Sequence, residues 1–233
     1  IDTAARSVLL FLSADQSLAA GNIVEFSIPG VTNVQRAGPT SPFALRTVLA
    51  DLSVIDHSLR GTSQTLLPDM LGAASVSVLS SEAGTFSTAK VSFSTSNVLP
   101  GDGFIFVSFP PAFSLISPVS DGYVVGIPGM LAVVEANVTR EDGYCTPGCN
   151  VTLSLRGMAT ARGSRVSFGI TNVENMHSSG QTGSFLIQTQ TKDREVIDEA
   201  LVDGSKTSAA KLGFASIKLV GEVRAGGAMA LEV

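Results

Sequence analysis

The sequence predicts an all-β protein made of antiparallel β-sandwich modules in tandem. Three observations support this prediction: apolar residues recur at every second position, Asp-Gly dipeptides separate the apolar segments, and one stretch is repeated 142 residues further along. A period of two is typical of half-buried strands, and Asp-Gly favours the turns between them. Segments with helical spacing are few, so a helical fold is not expected.

The alternation is clearest in residues 91–94, 105–109 and 151–155. Further segments with strand character are residues 8–12, 23–28, 43–48, 76–79, 130–138, 165–170, 184–190 and 195–202. Asp-Gly dipeptides lie between or after such segments, at Asp102, Asp121, Asp142 and Asp203. Residues 61–72 are expected to form a short helix or a linker.

The composition excludes two kinds of partner. Of the 233 residues, 44% are hydrophobic and 15% are charged, and the net charge is −5. An acidic chain offers no cationic face to a phosphate backbone, so nucleic-acid binding is not expected. The apolar region 103–134 contains Pro110, Pro111, Pro118 and Pro128, which would break a membrane helix. We interpret it as successive buried strands and expect no membrane span in this segment.

The repeat is the most informative feature of the chain. Phe43 matches Phe185, Thr47 matches Thr189, and residues 54–56 match residues 196–198, all at a spacing of 142. Residues 26 and 28 match 168 and 170 at the same spacing, and residues 8–12 match 151–155 after a one-residue gap. Residues 8–56 and 151–198 are therefore predicted to superpose as matching strands, with Phe43 and Phe185 buried at equivalent core positions.

A second match, at a spacing of 124, relates residues 103–109 to residues 227–233. The two matches predict four parts: residues 1–61 are the C-terminal part of one module, 62–71 a linker, 72–205 a complete module, and 206–233 the opening strands of a third. Because Ile1 is not followed by a basic start and an apolar stretch, the chain is interpreted as a processed product or an excised segment.

Neither end of the chain is expected to bury its apolar face alone, because a few strands cannot form a complete sandwich. The expected partners are neighbouring modules or copies of the same protein, together with other surface glycoproteins. We favour cover by a continuing chain, and the alternative is strand addition between copies. The two ends are not expected to add up to a whole module, since neither has a counterpart of residues 114–149.

Two short motifs bear on the cellular compartment. Asn137 and Asn150 each begin an Asn-Val-Thr sequence, which is an acceptor for N-glycosylation. If residues 130–138 and 150–155 pair as a hairpin, alternation places both asparagines on the solvent face. The alternative is that Asn-Val-Thr is an ordinary strand tripeptide without a glycan.

The only cysteines, Cys145 and Cys149, enclose a short loop with a Pro-Gly turn. A disulfide between them is the expected state outside the cell, worth at most about 2 kcal/mol for so small a ring. Free thiols are the alternative. A zinc site would need four ligands, and the chain has only His57 and His177 besides these cysteines. We expect no metal, and an extracellular or cell-surface location.

No enzyme is predicted, and no cofactor. The chain has no G-x-S-x-G elbow, and the repeat gives His57 the counterpart Glu199. The acidic residues Asp193, Glu195, Asp198, Glu199 and Asp203 are the candidates for a calcium site. Because the calcium-loop pattern D-x-D-x-D-G is absent, we interpret them instead as a solvated acidic strand edge.

Several motifs resemble those of one group of proteins. They are Leu99-Pro100-Gly101-Asp102-Gly103 before the strand 104–109, Pro110-Pro111-Ala112-Phe113 after it, and Thr171-Asn172-Val173 with residues 180–185 downstream. This combination resembles the immunoglobulin-like repeats of very large cell-surface proteins of algae and other protists, and it is similar to repeats of ciliary hairs, the mastigonemes. The resemblance covers most of residues 75–205 and implies tandem immunoglobulin-like sandwiches without catalytic residues.

The expected function is that of a structural extracellular repeat glycoprotein, which forms a stalk, fibre or filament such as a ciliary hair or a cell-surface coat. The alternative is an adhesin or carbohydrate-binding β-sandwich module. Sugar binding usually relies on exposed aromatic rings, and this chain has no Trp and only Tyr123 and Tyr144 besides its phenylalanines.

Overall fold

The computed structural model describes residues 7–12, 16–58, 61–116, 124–125, 131–135, 144–145, 149–157, 159–211, 213, 218–220 and 230–232. Asn137 and residues 146–148, which belong to the candidate glycosylation and disulfide motifs, lie outside this set. The chain divides into two compact units, Ile1–Val34 and Gln35–Val233. In the first unit, the described residues form no strand, and its large apolar side chains are exposed.

Regular structure in the second unit is entirely β in the residues that are described. The strands are β1 (Gly38–Pro39), β2 (Leu45–Val48), β3 (Val54–Ser58), β4 (Thr65–Leu66), β5 (Asp69–Met70), β6 (Gly72–Val78), β7 (Phe86–Ser94), β8 (Phe104–Ser108), β9 (Ser114–Ile116), β10 (Val124–Val125), β11 (Leu131–Glu135), β12 (Tyr144–Cys145), β13 (Asn150–Arg156), β14 (Arg165–Glu174), β15 (Gly180–Gln181), β16 (Ser184–Gln190), β17 (Val196–Asp203), β18 (Lys206–Thr207), β19 (Lys218–Val220) and β20 (Ala230–Glu232). No helix long and apolar enough to cross a membrane occurs in the described parts of the chain.

Two six-stranded sheets contain most of these strands. The first has the order β12-β9-β14-β7-β6, with β10 also paired to β14, and the second has the order β11-β13-β8-β16-β17-β5. All pairs are antiparallel except β5 with β17. Smaller two-stranded sheets are formed by β1 with β4, β2 with β3, β15 with β18, and β19 with β20.

One hydrophobic core joins the two large sheets, because alternate residues of their strands are buried. Val91 and Phe93 of β7 and Phe168 of β14 come from the first sheet, whereas Ile105 of β8 and Ile187 of β16 come from the second. The rings of Phe109, Phe113 and Phe185 pack together, with centroids 5.3–6.1 Å apart. The domain is therefore a β-sandwich.

The strand order identifies the type of sandwich. In one sheet β14, β7 and β6 are neighbours, and in the other β8, β16 and β17 are neighbours, with β13 and then β11 added beyond β8. This is the arrangement of the immunoglobulin fold with two further strands on one side. The predicted fold class, an all-β chain with an immunoglobulin-like antiparallel β-sandwich, is confirmed.

The prediction that residues 8–56 and 151–198 superpose as matching strands is only partly right. The described residues of 8–34 form no strand, although their counterparts include β13 and β14. Phe43 was expected in a core, but it is 60% exposed, whereas Phe185 is 1% exposed. Phe185 is covered by the rings of Phe109 and Phe113. No such cover lies on Phe43 in the described residues. The four-part division of the chain stays a prediction.

Candidate interaction surface

The hairpin β2–β3 reproduces the hairpin β16–β17 residue by residue. Leu45 pairs with Ser58 and Thr47 with Asp56, and 142 positions later Ile187 pairs with Ala200 and Thr189 with Asp198. Both ladders shift register at the next step, between Thr47 and Val48 and between Thr189 and Gln190. The repeated sequence thus specifies the same register and the same β-bulge twice.

The turns of the two hairpins also match. Leu49 N–H donates to Ser53 O at 2.9 Å, and Thr191 N–H donates to Glu195 O at 2.9 Å. Leu52 and Arg194 occupy the left-handed region at φ 67° and 65°, an uncommon conformation for residues other than glycine. Such a turn is a specific local structure, so its occurrence at both positions supports the equivalence of the two hairpins.

A side-chain hydrogen bond inside each hairpin is repeated as well. The Asp56 N–H donates to Thr47 Oγ1 at 3.0 Å, and the Asp198 N–H donates to Thr189 Oγ1 at 3.1 Å. Each hairpin is flanked by an equivalent two-stranded sheet, β1–β4 in one case and β15–β18 in the other. The two regions therefore share local structure beyond the hairpin itself.

Their surroundings differ. In the sandwich, β16 pairs with β8 on one side and β17 on the other, and Ile187 is fully buried. The hairpin β2–β3 is a sheet of two strands, with no third strand among the described residues, and Leu45 is 57% exposed. An open strand edge beside exposed apolar side chains is a surface on which another strand can pair. We call the free edge of β2, residues Leu45–Val48, the open edge.

Asp198 of β17 differs from the solvated acidic edge that the sequence suggested, whereas Asp193 and Asp203 are exposed. Asp198 is 0% exposed. Its Oδ2 accepts the N–H groups of Ser96 and Asn97, both at 3.2 Å, and its Oδ1 accepts from Asn97 Nδ2 at 2.7 Å. These three hydrogen bonds compensate a buried carboxylate, so Asp198 joins the loop after β7 to the hairpin β16–β17. The expectation of a solvated edge was wrong for this residue.

Three of the other acidic side chains have separate partners. Glu195 pairs with Arg36 at 2.5 Å, Glu199 accepts from Gln188 Nε2 at 3.2 Å, and Asp203 accepts from Ser184 Oγ at 3.1 Å. No cluster of metal-ligating side chains occurs in the part of the chain that the structure describes.

Asn150, one of the two candidate glycosylation residues, is exposed at the start of β13. Val151, Leu153 and Leu155 of the same strand are buried, as the alternation predicted. The strand pairs with β11 in the expected hairpin, with Val134 opposite Leu153. Asn137, the second candidate, lies outside the described residues, and glycosylation of both stays a prediction.

The candidate disulfide residues are placed unequally. Cys149 is 1% exposed, with its Sγ 3.7 Å from the carbonyl oxygen of Phe113. Cys145 lies in β12 opposite Leu115, and its side chain is outside the described set. Cys149 is not a free thiol, but its pairing with Cys145 stays a prediction.

The two histidines lie on different elements, His57 on β3 and His177 in the segment after β14. His57 is exposed on β3 opposite Arg46. His177 is also exposed, with its Nε2 3.7 Å from Glu174 Oε1.

Sequence reasoning missed the buried role of Asp198 and the open edge. The available signal was the Thr–Asp pair that both copies of the repeat contain, Thr47 with Asp56 and Thr189 with Asp198. A threonine and an aspartate that keep the same spacing in two copies indicate a shared local structure. They do not show which copy is covered.

Solved structures give distant likenesses only. The chain is similar to BslA, described as a bacterial hydrophobin, with 13% identity and a TM-score of 0.34 over 63% of this chain and 98% of that one. An uncharacterised protein of Nocardia farcinica with an immunoglobulin-like fold shares 14% identity with the chain, with a TM-score of 0.33 over 53% of this chain and 80% of that one. A type II cohesin domain from the cellulosome of Acetivibrio cellulolyticus shares 11% identity with the chain, with a TM-score of 0.24 over 61% of this chain and 92% of that one.

No protein-family model and no curated protein matches the chain. The structural likenesses are too weak to bear on function, so the repeated hairpin and its open edge are the features that do.

Proposed function

We propose that the protein is a structural extracellular repeat glycoprotein, whose immunoglobulin-like sandwiches follow one another in a stalk, fibre or filament of a cell-surface coat or a ciliary hair. The observation that supports this most is the repeated hairpin. The β2–β3 hairpin has the register, bulge and turn of β16–β17, and the latter is an integral part of the sandwich. A hairpin with that structure belongs to a second sandwich.

The connecting segments form hydrogen bonds with the sandwich, which favours a rod over modules that move independently. The segment before the sandwich is held at the start of β17, since Ala37 N–H donates to Val196 O at 2.6 Å and Arg36 pairs with Glu195. After the sandwich, β18 pairs with β15. Because both connections form hydrogen bonds with the sandwich, successive modules hold a fixed spacing, as in other repeat proteins.

The chain enters and leaves at opposite ends of the sandwich, which suits a rod. The strand β5 runs parallel to β17 and pairs near its start, at Asp198 and Glu199. The exit strand β18 follows directly after the other end of β17 at Asp203. The length of β17, 8 residues, corresponds to roughly 26 Å at about 3.3 Å per residue. Each module therefore adds length along the chain direction.

An extracellular location is part of the proposal. Asn150 is exposed within its acceptor sequence, and Cys149 is not a free thiol. N-linked glycan on Asn137 or Asn150 and a Cys145–Cys149 disulfide are both properties of proteins that pass through the secretory pathway. The proposal assigns the chain no catalytic activity and no cofactor.

The proposal can be tested on intact source cells with antibodies raised against residues 72–205. In immunogold electron microscopy, we expect gold particles on surface fibres or on the coat of cells that have not been permeabilised. Permeabilising the membrane should add no gold particles inside the cell. Labelling only after permeabilisation would contradict the proposal. Mass spectrometry of the native protein before and after enzymatic removal of N-glycans would test Asn137 and Asn150 separately.

A second experiment distinguishes the structural function from the alternative of an adhesin. A glycan array probed with the purified chain should show no saturable binding. Saturable binding to one class of sugar, with surface labelling at contact sites between cells rather than along fibres, would favour the adhesin.

A further inference from the structure

We infer that the first sugar of an N-linked glycan on Asn150 packs on the ring of Phe106, and that this glycan covers an apolar row on the outer face of the second large sheet. The inference rests on the proposed glycoprotein and deepens it, because it gives the glycan a place and a role in the fold. The strands concerned are β13, β8, β16 and β17, which are neighbours in that order.

The outer face of this sheet is defined by the alternation of its strands. Val107 of β8 and Ile187 of β16 are 0% exposed and face the core. Their neighbours Phe106, Ser108 and Leu186 face outward, and each is partly exposed. Two large apolar side chains therefore lie on the face of the sheet where polar residues are usual.

Strand pairing sets a row of four residues across this outer face. Asn150 lies opposite Ser108, and Ser108 lies opposite Leu186. Leu186 in turn pairs with Leu201, which is 73% exposed. One end of the row is a glycosylation acceptor and the other end is apolar, with only a small serine side chain between them.

Phe106 lies beside this row and within reach of the acceptor. It is two residues before Ser108 on β8, so it is diagonal to Asn150 across the two strands. Diagonal neighbours are about 7–8 Å apart, a distance that aromatic and long side chains span. A sugar on Asn150 lengthens that side chain by one ring, and the apolar C–H face of a sugar packs on the electron-rich face of an aromatic ring.

The two outward phenylalanines of β8 differ in their cover. Arg194 lies over the ring of Phe104, with its guanidinium carbon 3.6 Å from the ring centroid. Phe106 makes no ring or cation contact within the described residues. The fold thus supplies a cation for one outward ring and leaves the other ring beside the acceptor.

The glycan is favoured over a separate partner because it is covalently fixed next to the ring. A group held by a short link acts at an effective concentration of about millimolar, so a weak contact is enough to hold it in place. Exposed apolar side chains on neighbouring fibres would otherwise meet and associate. A glycan that extends over Leu186 and Leu201 prevents this contact.

The position of the acceptor sequence in the fold determines when the glycan is added. The sequence ends at Thr152, which is 5% exposed, although Asn150 itself is exposed. The transferring enzyme has to reach the threonine hydroxyl, so transfer takes place before β13 joins the sheet. Protein for a test is therefore taken from secretory cells that glycosylate the chain as it is made.

Thermal unfolding of the 233-residue chain, secreted from cultured eukaryotic cells, tests the contact. All forms carry Asn137→Gln, so that Asn150 is the acceptor that remains. Three forms are compared: the intact glycan, the glycan trimmed to its first sugar by an endoglycosidase, and Asn150→Gln without a glycan. Phe106→Ala is made in each form, and Phe104→Ala on the same strand and face is the matched control.

We expect Asn150→Gln to unfold about 2–4 °C below the trimmed form, with a smaller difference between the trimmed and the intact glycan. Phe106→Ala should abolish the difference between the trimmed form and Asn150→Gln, whereas Phe104→Ala should retain it. Absence of a glycan on Asn150, no difference in the chain with both phenylalanines, or equal differences in the two alanine variants overturns the inference.

NMR on the trimmed form, with isotope-labelled sugar, provides a second measurement that needs no ring substitution. Protons of the first sugar should show nuclear Overhauser effects to the Phe106 ring and upfield shifts from its ring current. Effects to the Phe104 ring instead, or to no ring, would contradict the contact. Immunogold labelling of cells is independent of these results. Failure of the sugar–ring contact leaves the proposed function standing, and absence of surface labelling rejects that function whatever the sugar contacts.

Discussion

The hairpins β2–β3 and β16–β17 have the same register, bulge and turn in different environments. In β16–β17, Phe185 and Ile187 are buried under the opposite sheet and β8, whereas Phe43 and Leu45 of the first copy are largely exposed. Local sequence therefore determines how the two strands pair. Burial depends on which strands are available to cover them.

The difference has an energetic meaning. Complete burial of a large apolar side chain contributes about 1.5–3 kcal/mol, and a two-stranded hairpin is marginal by itself in water. The hairpin β16–β17 shares the stability of the whole sandwich. The hairpin β2–β3 lacks this contribution among the described residues, because no third strand covers its open edge.

The largest expected difference concerns the two phenylalanines. Phe185→Ala should destabilise the protein by about 3–5 kcal/mol, because it removes a buried ring and leaves a cavity. Phe43→Ala should change the free energy of unfolding by less than about 0.5 kcal/mol in dilute solution, because its ring is exposed. Urea unfolding followed by circular dichroism measures both. Equal losses in the two variants would show that Phe43 is covered in the isolated chain.

The two aspartates should differ by less. Asp198→Ala leaves the N–H groups of Ser96 and Asn97 without their acceptor, which should cost about 1–3 kcal/mol. Asp56→Ala at the exposed equivalent should cost under about 0.5 kcal/mol. Thermal unfolding of the pair measures the contrast. A neutral Asp198→Ala would mean that the loop after β7 does not depend on the buried carboxylate.

The two threonines provide a finer comparison within the hairpins. Thr189→Val removes the buried acceptor of the Asp198 N–H and should cost about 1 kcal/mol, a typical value for one hydrogen bond. Thr47→Val removes the equivalent bond from an exposed hairpin, where water replaces it, and the loss should be smaller. Chemical unfolding of both variants measures the two losses in free energy of unfolding. A larger loss for Thr47→Val than for Thr189→Val would contradict the assignment of the buried hydrogen bond to Thr189.

The smallest effect concerns the turn of β2–β3. Hydrogen bonds from the side chain and the backbone of Ser53 lower the pKa of Asp51 below its ordinary value. A lowered pKa means that the ionised carboxylate favours the folded turn above the unfolded-state pKa, and that this contribution is lost as the pH falls through the folded-state pKa. Titration by NMR should show the lowered pKa in the native chain and a rise toward the ordinary value in Ser53→Ala. An unchanged pKa in that variant would show that the Ser53 hydroxyl is not the cause of the shift.

Much of the sandwich could be predicted from the sequence because its strands obey simple alternation. The segments expected at 105–109, 151–155 and 184–190 overlap β8, β13 and β16. The repeat also predicted that the strands of residues 43–56 match those of residues 185–198, which is the case for β2–β3 and β16–β17. These properties depend on residues close in the chain or on an internal copy.

Other features could not be predicted because they depend on distant partners. Asp198 is buried through hydrogen bonds to Ser96 and Asn97, about one hundred residues earlier, and no local pattern distinguishes it from a solvated acid. Exposure of Phe43 depends on the absence of covering strands among the described residues, although its sequence match is a core residue. Two-residue strands such as β15 and β18 are too short to show a period.

Hydrogen exchange followed by NMR on the 233-residue chain tests the central claim most directly. The claim is that β2–β3 and β16–β17 have the same local structure and differ in whether other strands cover them. In dilute solution, the amides of β16–β17 should exchange only through unfolding of the whole sandwich, whereas those of β2–β3 should exchange through local opening. Equal protection of both hairpins in dilute solution would contradict the central claim.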